Sequence, residues 1–185
     1  MKQIFLMMLV LNTAITSAQD KAPFNPSRLP TDANTNLFTY VEVIQMAGVN
    51  AKELYARGLK WFNTFYKNPT DVIRSADSTK GEITGKARFK IYKQSDKSNL
   101  RTDAGSAEYT ITLSCKDGKY RYKITDINWK QASYFPAERW LDTKAQTYSP
   151  SYFYYLEQMD SIIVEVIDNL ETAMKTSTAK KKDDW

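Results

Sequence analysis

The chain has 185 residues, of which 42% are hydrophobic and 25% charged, and its formal net charge is +5. This length fits one ordinary domain, and the apolar fraction suffices for a packed core, which excludes global disorder. The sequence contains no histidine and one cysteine. It therefore lacks the residues for a Ser-His-Asp triad, a Cys-His dyad, an imidazole zinc site or an internal disulfide.

The N-terminus has the layout of a secretory signal peptide. Lys2 precedes an apolar run over residues 4–11, and Thr16 and Ala18 are the small residues of a cleavage site. The run is far shorter than the roughly 20 apolar residues of a membrane span. We therefore expect residues 1–18 to be removed. The mature protein is expected to be soluble and either periplasmic or extracellular. We expect no lipid on it, because the residue directly after the cleavage site, Gln19, is not a cysteine.

The first elements of the mature chain follow from local patterns. Residues 19–36 contain three prolines and no apolar periodicity, which predicts an extended leader. The aromatic and β-branched segment 37–46 predicts a strand. Asn50 and Glu53 have the spacing of a capping box, and apolar residues three and four apart predict a helix over 51–66.

The middle of the chain predicts strands. Residues 71–77 predict a short strand around Val72 and Ile73. Residues 83–91 alternate strictly between apolar and mostly basic side chains. Strict alternation is typical of a strand with one buried face. The polar residues 93–106 predict a loop.

A hairpin is the strongest local signal. Two alternating segments flank Asp117-Gly118, a dipeptide typical of two-residue hairpin turns. If the lysines beside the turn pair with each other, Cys115 faces Tyr120 on an apolar face, where we expect the thiol to be buried. A slip of one residue would destroy this match. The same register predicts the pairs Leu113–Tyr122, Ile111–Ile124, Thr112–Lys123 and Ser114–Arg121.

The C-terminal third predicts a long helix. Residues 129–149 are irregular and rich in aromatics, and Ser149-Pro150 then opens a helix that continues to about residue 175. At ~39 Å this helix is longer than a five-stranded sheet is wide (~24 Å), so its last turns are expected to overhang. Residues 177–185 are expected to be a disordered tail. A single domain over 37–176 is therefore predicted, with two helices on the apolar sheet face and the other face open.

Several short motifs, in their order, resemble one family. They are Tyr40-Val41-Glu42-Val43, Gly48-Val49, Trp61-Phe62, Gly81-Glu82-Ile83 and Lys116-Asp117-Gly118-Lys119-Tyr120. The segment 37–130 resembles DUF4468, a family of exported Bacteroidetes proteins of unknown function. The resemblance implies a TBP-like α+β fold of the order β-α-β4-α, with one antiparallel sheet and two helices packed on one face. It brings no catalytic residues.

Five basic residues are candidates for a binding surface. Strand alternation and the hairpin register send all of them to the open face of the sheet, where they would attract an anionic partner. An acidic glycan, an envelope glycolipid or another protein fits this expectation, and nucleic acid does not suit an exported protein. The alternative is a solvated surface whose lysines deter aggregation. The five residues are Lys86, Arg88, Lys90, Arg121 and Lys123.

Aromatic residues concentrated over 129–155 form a second candidate. Aromatic rings bind sugars and other flat ligands, and they are favoured at interfaces. The alternative is a long loop that its own aromatic side chains hold against the helix. The candidate patch consists of Trp129, Tyr134, Phe135, Trp140, Tyr148 and Tyr152.

Other functions have weaker support in the sequence. A cavity between the sheet and the helices could carry a small hydrophobic ligand, although aromatic and methionine side chains fill space well. The acidic residues lack the arrangement of a glycosidase or metal site, which leaves an uncharacterised hydrolase as the least favoured alternative. We expect a non-enzymatic binding domain without catalytic residues, metal or cofactor.

Overall fold

The computed structural model describes residues 23–94, 101–131 and 133–177. The predicted signal peptide and the predicted tail after residue 177 lie outside this range. In chain order, the helices and strands are β1 (Tyr40–Gln45), α1 (Ala51–Phe65), α2 (Pro69–Val72), β2 (Ile73–Asp77), β3 (Glu82–Tyr92), β4 (Asp103–Lys116), β5 (Lys119–Lys130), β6 (Tyr134–Pro136) and α3 (Ser151–Lys175).

One antiparallel sheet forms the framework. Its strand order is β1-β5-β4-β3-β2, and the short β6 pairs with the far end of β5. The long helices α1 and α3 bury their apolar stripes against one face of the sheet, with Leu54, Phe62 and Ile163 fully buried. The predicted α+β class is confirmed. β6 and the one-turn α2 are additions to the predicted elements.

The predicted hairpin register is confirmed. Lys116 pairs with Lys119, Cys115 with Tyr120 and Leu113 with Tyr122. Cys115 is 3% exposed, as expected for the core face. This strand pair fixes which side chains of β4 and β5 face the helices and which face outwards.

Three segments differ from their predicted form. Residues Pro69–Val72 are a helical turn, because a proline at the first position is preorganised for it, and β2 starts only after that turn. β4 begins at Asp103, so the predicted loop over 93–106 is shorter. The leader contains a 3-10 helix at Pro26–Arg28, and Leu29 is buried in the core.

The end of α3 is supported by α1, contrary to the expected overhang. Arg57 of α1 is buried, and its Nη1 donates a 2.7 Å hydrogen bond to the carbonyl of Met174. Trp61 Nε1 donates to Asn169 Oδ1 at 2.8 Å. The expected overhang followed from the width of the sheet alone. In the structure, α1 also supports α3 beyond the sheet.

A bulge in β5 changes which side chains face outwards. Glu108 of β4 pairs with Asn128 and Thr110 pairs with Thr125, so β5 carries one extra residue between these pairs. Asp126 in the bulge has a φ of 54°, a left-handed conformation that Asp tolerates better than most residues. Beyond the bulge, Trp129 is therefore buried and its neighbour Lys130 is exposed.

Candidate functional site

The five predicted basic residues lie on the face of the sheet opposite α1 and α3, which we call the open face. Lys86, Arg88 and Lys90 lie on β3, and Arg121 and Lys123 lie on β5. β4 lies between these strands. The residues form two rows, one on each strand, and the two strands lie about 10 Å from each other, because neighbouring strands are about 4.8 Å apart. The two rows are also displaced along the strands: Arg88 lies opposite Glu108 of β4, whereas Lys123 lies opposite Thr112, four residues further along. At about 3.3 Å per residue, this separates Arg88 from Lys123 by roughly 16 Å.

Acidic residues neutralise two of the five cations. Lys86 Nζ lies 2.7 Å from Glu108 Oε1, and Lys90 Nζ lies 2.6 Å from Asp103 Oδ2. The hydrogen bond to Glu108 raises the pKa of Lys86, which keeps the ammonium charged. These two lysines therefore contribute less to the field of the open face than the sequence suggested.

The other three cations are unpaired. Within the described residues, Arg88, Arg121 and Lys123 make no ion pair within 4.0 Å. All three side chains are exposed. Of the five predicted cations, these three are therefore available to an external anion.

Glu108 connects the basic residues to the aromatic patch. Burial raises the pKa of Glu108, but hydrogen bonds from Lys86 and Tyr134 outweigh it and hold the pKa below its usual value. The Tyr134 hydroxyl donates to Glu108, and the ammonium of Lys130 lies 5.6 Å from the centre of the Tyr134 ring. Tyr134 is 51% exposed. An aromatic ring is thus present on the open face beside the cations.

A cleft of about 490 Å³ opens at the margin of the open face, beside β3. β2 pairs with β3 only as far as Gly85, so the next residues of β3 face the connection between α1 and α2 instead of a strand. Four cations and two acidic residues line the cleft, which gives it a positive balance. They are Lys67, Arg74, Lys86, Arg88, Asp71 and Glu108.

Two further hollows open on the same face. One of about 390 Å³ is lined by Arg88, Lys90 and Lys130 together with Asp103. Another of about 230 Å³ is lined by Val43, Ser114, Lys116, Lys119, Tyr120 and Arg121. Arg88 lines both the 490 Å³ cleft and the 390 Å³ hollow, so one ligand could occupy the two together.

Hydroxyl groups of β4 separate the two basic rows. Thr110 pairs with Lys86 on one side, and Thr112 and Ser114 pair with Lys123 and Arg121 on the other. Each hydroxyl can donate one hydrogen bond and accept others. This part of the open face is therefore polar and uncharged, whereas Glu108, further along β4, places a carboxylate between Arg88 and Asn128.

Half of the predicted aromatic patch belongs to the core. Trp129, Trp140 and Tyr152 are at most 9% exposed and pack together with ring centres 5.6–6.1 Å apart. Trp129 Nε1 donates a 2.8 Å hydrogen bond to the carbonyl of Ala104. These rings hold the segment after β5 against α3. For these three residues this is the alternative to a binding patch, a loop held against the helix by its own aromatic side chains.

The remaining patch residues lie at the edge of this cluster. Tyr148 is half-buried and packs edge-on against Tyr152, with ring centres 5.8 Å apart. Phe135 is half-buried beneath the guanidinium of Arg139, 4.5 Å from its ring centre. Of the six predicted residues only Tyr134 is exposed, so they do not form one platform.

The interface between the sheet and the helices is closely packed around Gly58 and Gly85. A Cβ atom at Gly58 would lie 2.2 Å from Leu113 Cδ2, and one at Gly85 would lie 2.6 Å from Phe62 Cε1. These positions leave no room for an added methyl group. Nothing in this packing favours the hydrophobic-carrier alternative.

In residues 23–94, 101–131 and 133–177, no three acidic, cysteine or histidine side chains are grouped closely enough to hold a metal ion. None of the helices in this part of the chain combines the length and apolarity needed to cross a membrane.

Comparison with known proteins identifies the family. Residues 40–130 match the model of DUF4468, a domain of unknown function with a TBP-like fold. The chain belongs to the DUF4468 family over these residues. A DUF4468 family protein from Bacteroides ovatus has a similar crystal structure, with a TM-score of 0.66 and 17% identity over 85% of this chain and 100% of that one.

A second solved structure supports the same fold. A TBP-like protein from Parabacteroides distasonis aligns with a TM-score of 0.63 and 10% identity, over 80% of this chain and 98% of that one. No curated protein matches the sequence. The DUF4468 segment starts at β1 and ends with β5, so it contains both basic rows of the open face. Tyr134 and α3 lie beyond it.

Sequence reasoning missed three cations around the DUF4468 open face. The bulge at Asp126 reverses the alternation of β5, so a strict period of two would have sent Lys130 to the core. Lys67 and Arg74 line the cleft, which opens where the pairing of β2 with β3 stops at Gly85, and neither residue lies in an alternating pattern. Arg88, by contrast, lies in the strict alternation of β3, and that pattern correctly predicted its position on the open face.

Proposed function

We propose that this DUF4468 protein is an exported, non-enzymatic module that binds an acidic glycan on the open face of its sheet. The observation that carries the proposal is the group of unpaired, exposed cations Arg88, Arg121 and Lys123. Like charges on one face create a positive potential, which raises the local concentration of anionic ligands. Lys130 and Arg74 add to this potential at the margins.

An extended acidic chain suits the layout better than a compact anion. Arg88 and Lys123 lie on strands about 10 Å apart and are displaced by four residues along them, which separates them by roughly 16 Å. A single small anion would therefore contact only one of them. The threonine and serine hydroxyls of β4 can hydrogen-bond to sugar hydroxyls between the rows. The exposed ring of Tyr134 offers an apolar surface for a sugar ring beside Lys130.

The affinity should depend strongly on salt. Exposed charge pairs each contribute only about 0.2–1 kcal/mol, so several must act together. Salt screens exposed charges over a Debye length of about 8 Å at physiological ionic strength, which is shorter than the distance between Arg88 and Lys123. We therefore expect binding at low ionic strength that weakens steeply as salt is added.

A charge-matched pair of variants tests the proposal, with heparin as the sulfated glycan. The test variant is Arg88→Gln, Arg121→Gln and Lys123→Gln. The control is Lys52→Gln, Lys60→Gln and Lys144→Gln, which removes the same charge from exposed positions outside the open face. Both should remain folded, because exposed substitutions usually change stability by no more than about 0.5 kcal/mol.

The expected result is loss of heparin retention in the test variant alone. Equal loss in both variants would show that net charge, and not the open face, causes the retention. Retention by both would contradict the proposal. Binding to anionic phospholipid vesicles without binding to heparin would show that the ligand class is wrong.

The non-enzymatic and exported character is also proposed. The complete absence of histidine removes the commonest general base, and the resemblance to DUF4468 brings no catalytic residues. Export rests on the signal-peptide pattern of residues 1–18. N-terminal sequencing of the protein from its own cells should begin at Gln19 or within one or two residues of it. A mature protein that retains Met1 would contradict export.

A further inference from the structure

The outer edge of β1 is the feature that the proposed function leaves unused. β1 pairs only with β5, so its other side is an edge of the sheet. Thr39 N donates outwards to the carbonyl of Pro30 at 2.8 Å, and Met46 N donates towards the β5 side, to the carbonyl of Gly118, at 2.8 Å. In an antiparallel strand the peptide groups of successive residues alternate in direction. Val41, Val43 and Gln45 therefore direct their N–H and C=O groups outwards.

These outward groups have no backbone partner in the described part of the chain. The leader pairs beside Thr31 and Phe38 and stops short of Val41. The side chains of Val41 and Val43 are 52% and 48% exposed. A strand edge with free backbone groups and exposed β-branched residues is a template for another strand.

The two edges of the sheet differ in how they are protected. Proteins commonly protect edge strands with lysine, proline, charges or bulges. At the opposite edge, β2 has a register shift between Ile73 and Ser75 and carries the exposed Arg74. β1 pairs with β5 without a register shift, and it contains neither lysine nor proline. Its one charged residue, Glu42, accepts a hydrogen bond from the Tyr122 hydroxyl of β5. β1 is therefore the edge prepared for pairing.

We propose that the occupant of this edge is β1 of a second copy of the chain, antiparallel, with Val43 opposite the partner's Val43. In this register the partner's Gln45 lies opposite Val41, so all three outward-directed residues of each copy find hydrogen-bonding partners. Glu42 lies opposite the partner's Ile44, and no like charges face each other.

Charge and hydrogen bonding favour this register over its neighbours. A register centred on Glu42 places that carboxylate opposite its own copy, which is unfavourable for like charges. It also directs Gln45 to Thr39, whose N–H is already bonded to Pro30. A register centred on Ile44 leaves Val41 unpaired within the two strands. Self-pairing therefore has one satisfactory register.

The dimer would join two sheets into one, with both open faces on the same side. Val41 and Val43 of the two copies would form an apolar seam between two basic surfaces. A stable specific interface buries about 800 Å² on each partner, and a pair of six-residue strands covers less. We therefore expect a weak dimer whose population rises with protein concentration.

Sedimentation equilibrium of the ligand-free protein over a range of concentrations tests the dimer. The wild type should show a monomer–dimer equilibrium, and Val43→Lys should abolish it by placing two ammonium groups opposite each other. The control is Val164→Lys, which makes the same change at a residue 43% exposed on α3 and should dimerise like the wild type. A wild type that stays monomeric throughout, or a Val43→Lys variant that still dimerises, would overturn the inference.

A cysteine scan tests the register. Directly opposed residues of a hydrogen-bonded antiparallel pair have Cα atoms about 5.5 Å apart, within the range that a disulfide bridges. Val43→Cys should therefore form a covalent dimer under mild oxidation, while Val41→Cys should not, because the two copies of residue 41 lie far apart in this register. The native Cys115 is buried. Covalent dimer from Val41→Cys instead would overturn the assigned register.

Discussion

Replacing Gly58 by alanine is expected to destabilise this fold, although the same change stabilises most helices. Gly58 lies in the middle of α1 and is buried against β4. A Cβ atom there would lie 2.2 Å from Leu113 Cδ2. Carbon atoms pack best at about 3.5–4.0 Å, so the added methyl group would overlap the leucine by more than 1 Å.

The expected magnitude combines two opposing effects. Alanine gains about 0.5–1 kcal/mol over glycine within a helix. Overpacking a well-packed core costs about 1–3 kcal/mol, and Leu113 is fully buried with little freedom to move. We therefore expect Gly58→Ala to lower the free energy of unfolding by about 1–2 kcal/mol.

A double-mutant cycle with Leu113→Ala isolates the cause. Without the leucine side chain, the nearest atom to the new Cβ is Ile83 Cδ1 at 3.6 Å, an ordinary contact. In that background Gly58→Ala should stabilise the protein by about 0.5–1 kcal/mol, as helix propensity predicts. Urea unfolding of the four proteins measures the cycle. Stabilisation in the wild-type background, or the same cost in both backgrounds, would refute the packing argument.

Three further predictions concern the core. Arg57→Ala should lower the free energy of unfolding by about 2–3 kcal/mol and accelerate amide exchange in the last turn of α3, because that turn loses its buried hydrogen-bond donor. Trp129→Phe should cost about 1–2 kcal/mol more in urea unfolding than Trp140→Phe, since Trp129 Nε1 donates a hydrogen bond and Trp140 Nε1 has no partner among the described groups; equal costs would contradict this. Burial raises the pKa of the Cys115 thiol to about 12. The folded state therefore keeps its proton longer than the unfolded state, and the thiol's contribution to stability should fall by up to about 1.4 kcal/mol per pH unit between about pH 9 and pH 12. Burial also raises the pKa of Tyr120 and of Tyr122, so Cys115→Ala should remove only the thiol's part of the alkaline decline.

The parts of the fold that the sequence predicted best are those set by local chemistry. Asp117-Gly118 fixes a tight turn, and the alternation on both sides allows one register, so the pairs from Lys116–Lys119 outwards were predicted correctly. The capped start of α1 was also predicted, because Asn50 accepts a hydrogen bond from Glu53 N at 2.8 Å. Both signals involve residues close together in the chain.

The parts that the sequence did not predict depend on distant partners. The bulge at Asp126 has no strong local signature, yet it decides that Trp129 faces the core and Lys130 faces outwards. The start of β4 at Asp103 lies among small and polar residues with little strand propensity, where pairing with β3 and β5 supplies the order. Aromatic composition alone could not distinguish the buried Trp140 from the exposed Tyr134.

The acidic partners on the open face were equally invisible in the sequence. Glu108 lies more than twenty residues from Lys86 in the chain and meets it only because β3 and β4 pair. The predicted group of five cations is thus reduced to three unpaired ones by tertiary structure. This reduction is the reason that Arg88, Arg121 and Lys123 are the residues chosen for mutation.

The central claim, that the open face is the binding surface, is tested most directly by amide NMR spectra recorded during titration with a heparin oligosaccharide at low salt. We predict saturable shift changes that are largest around Arg88, Arg121 and Lys123 and small along α3. The changes should shrink as salt is added. Saturable changes concentrated on α1 or α3, or no saturable change at a salt concentration where heparin resin retains the protein, would contradict the claim.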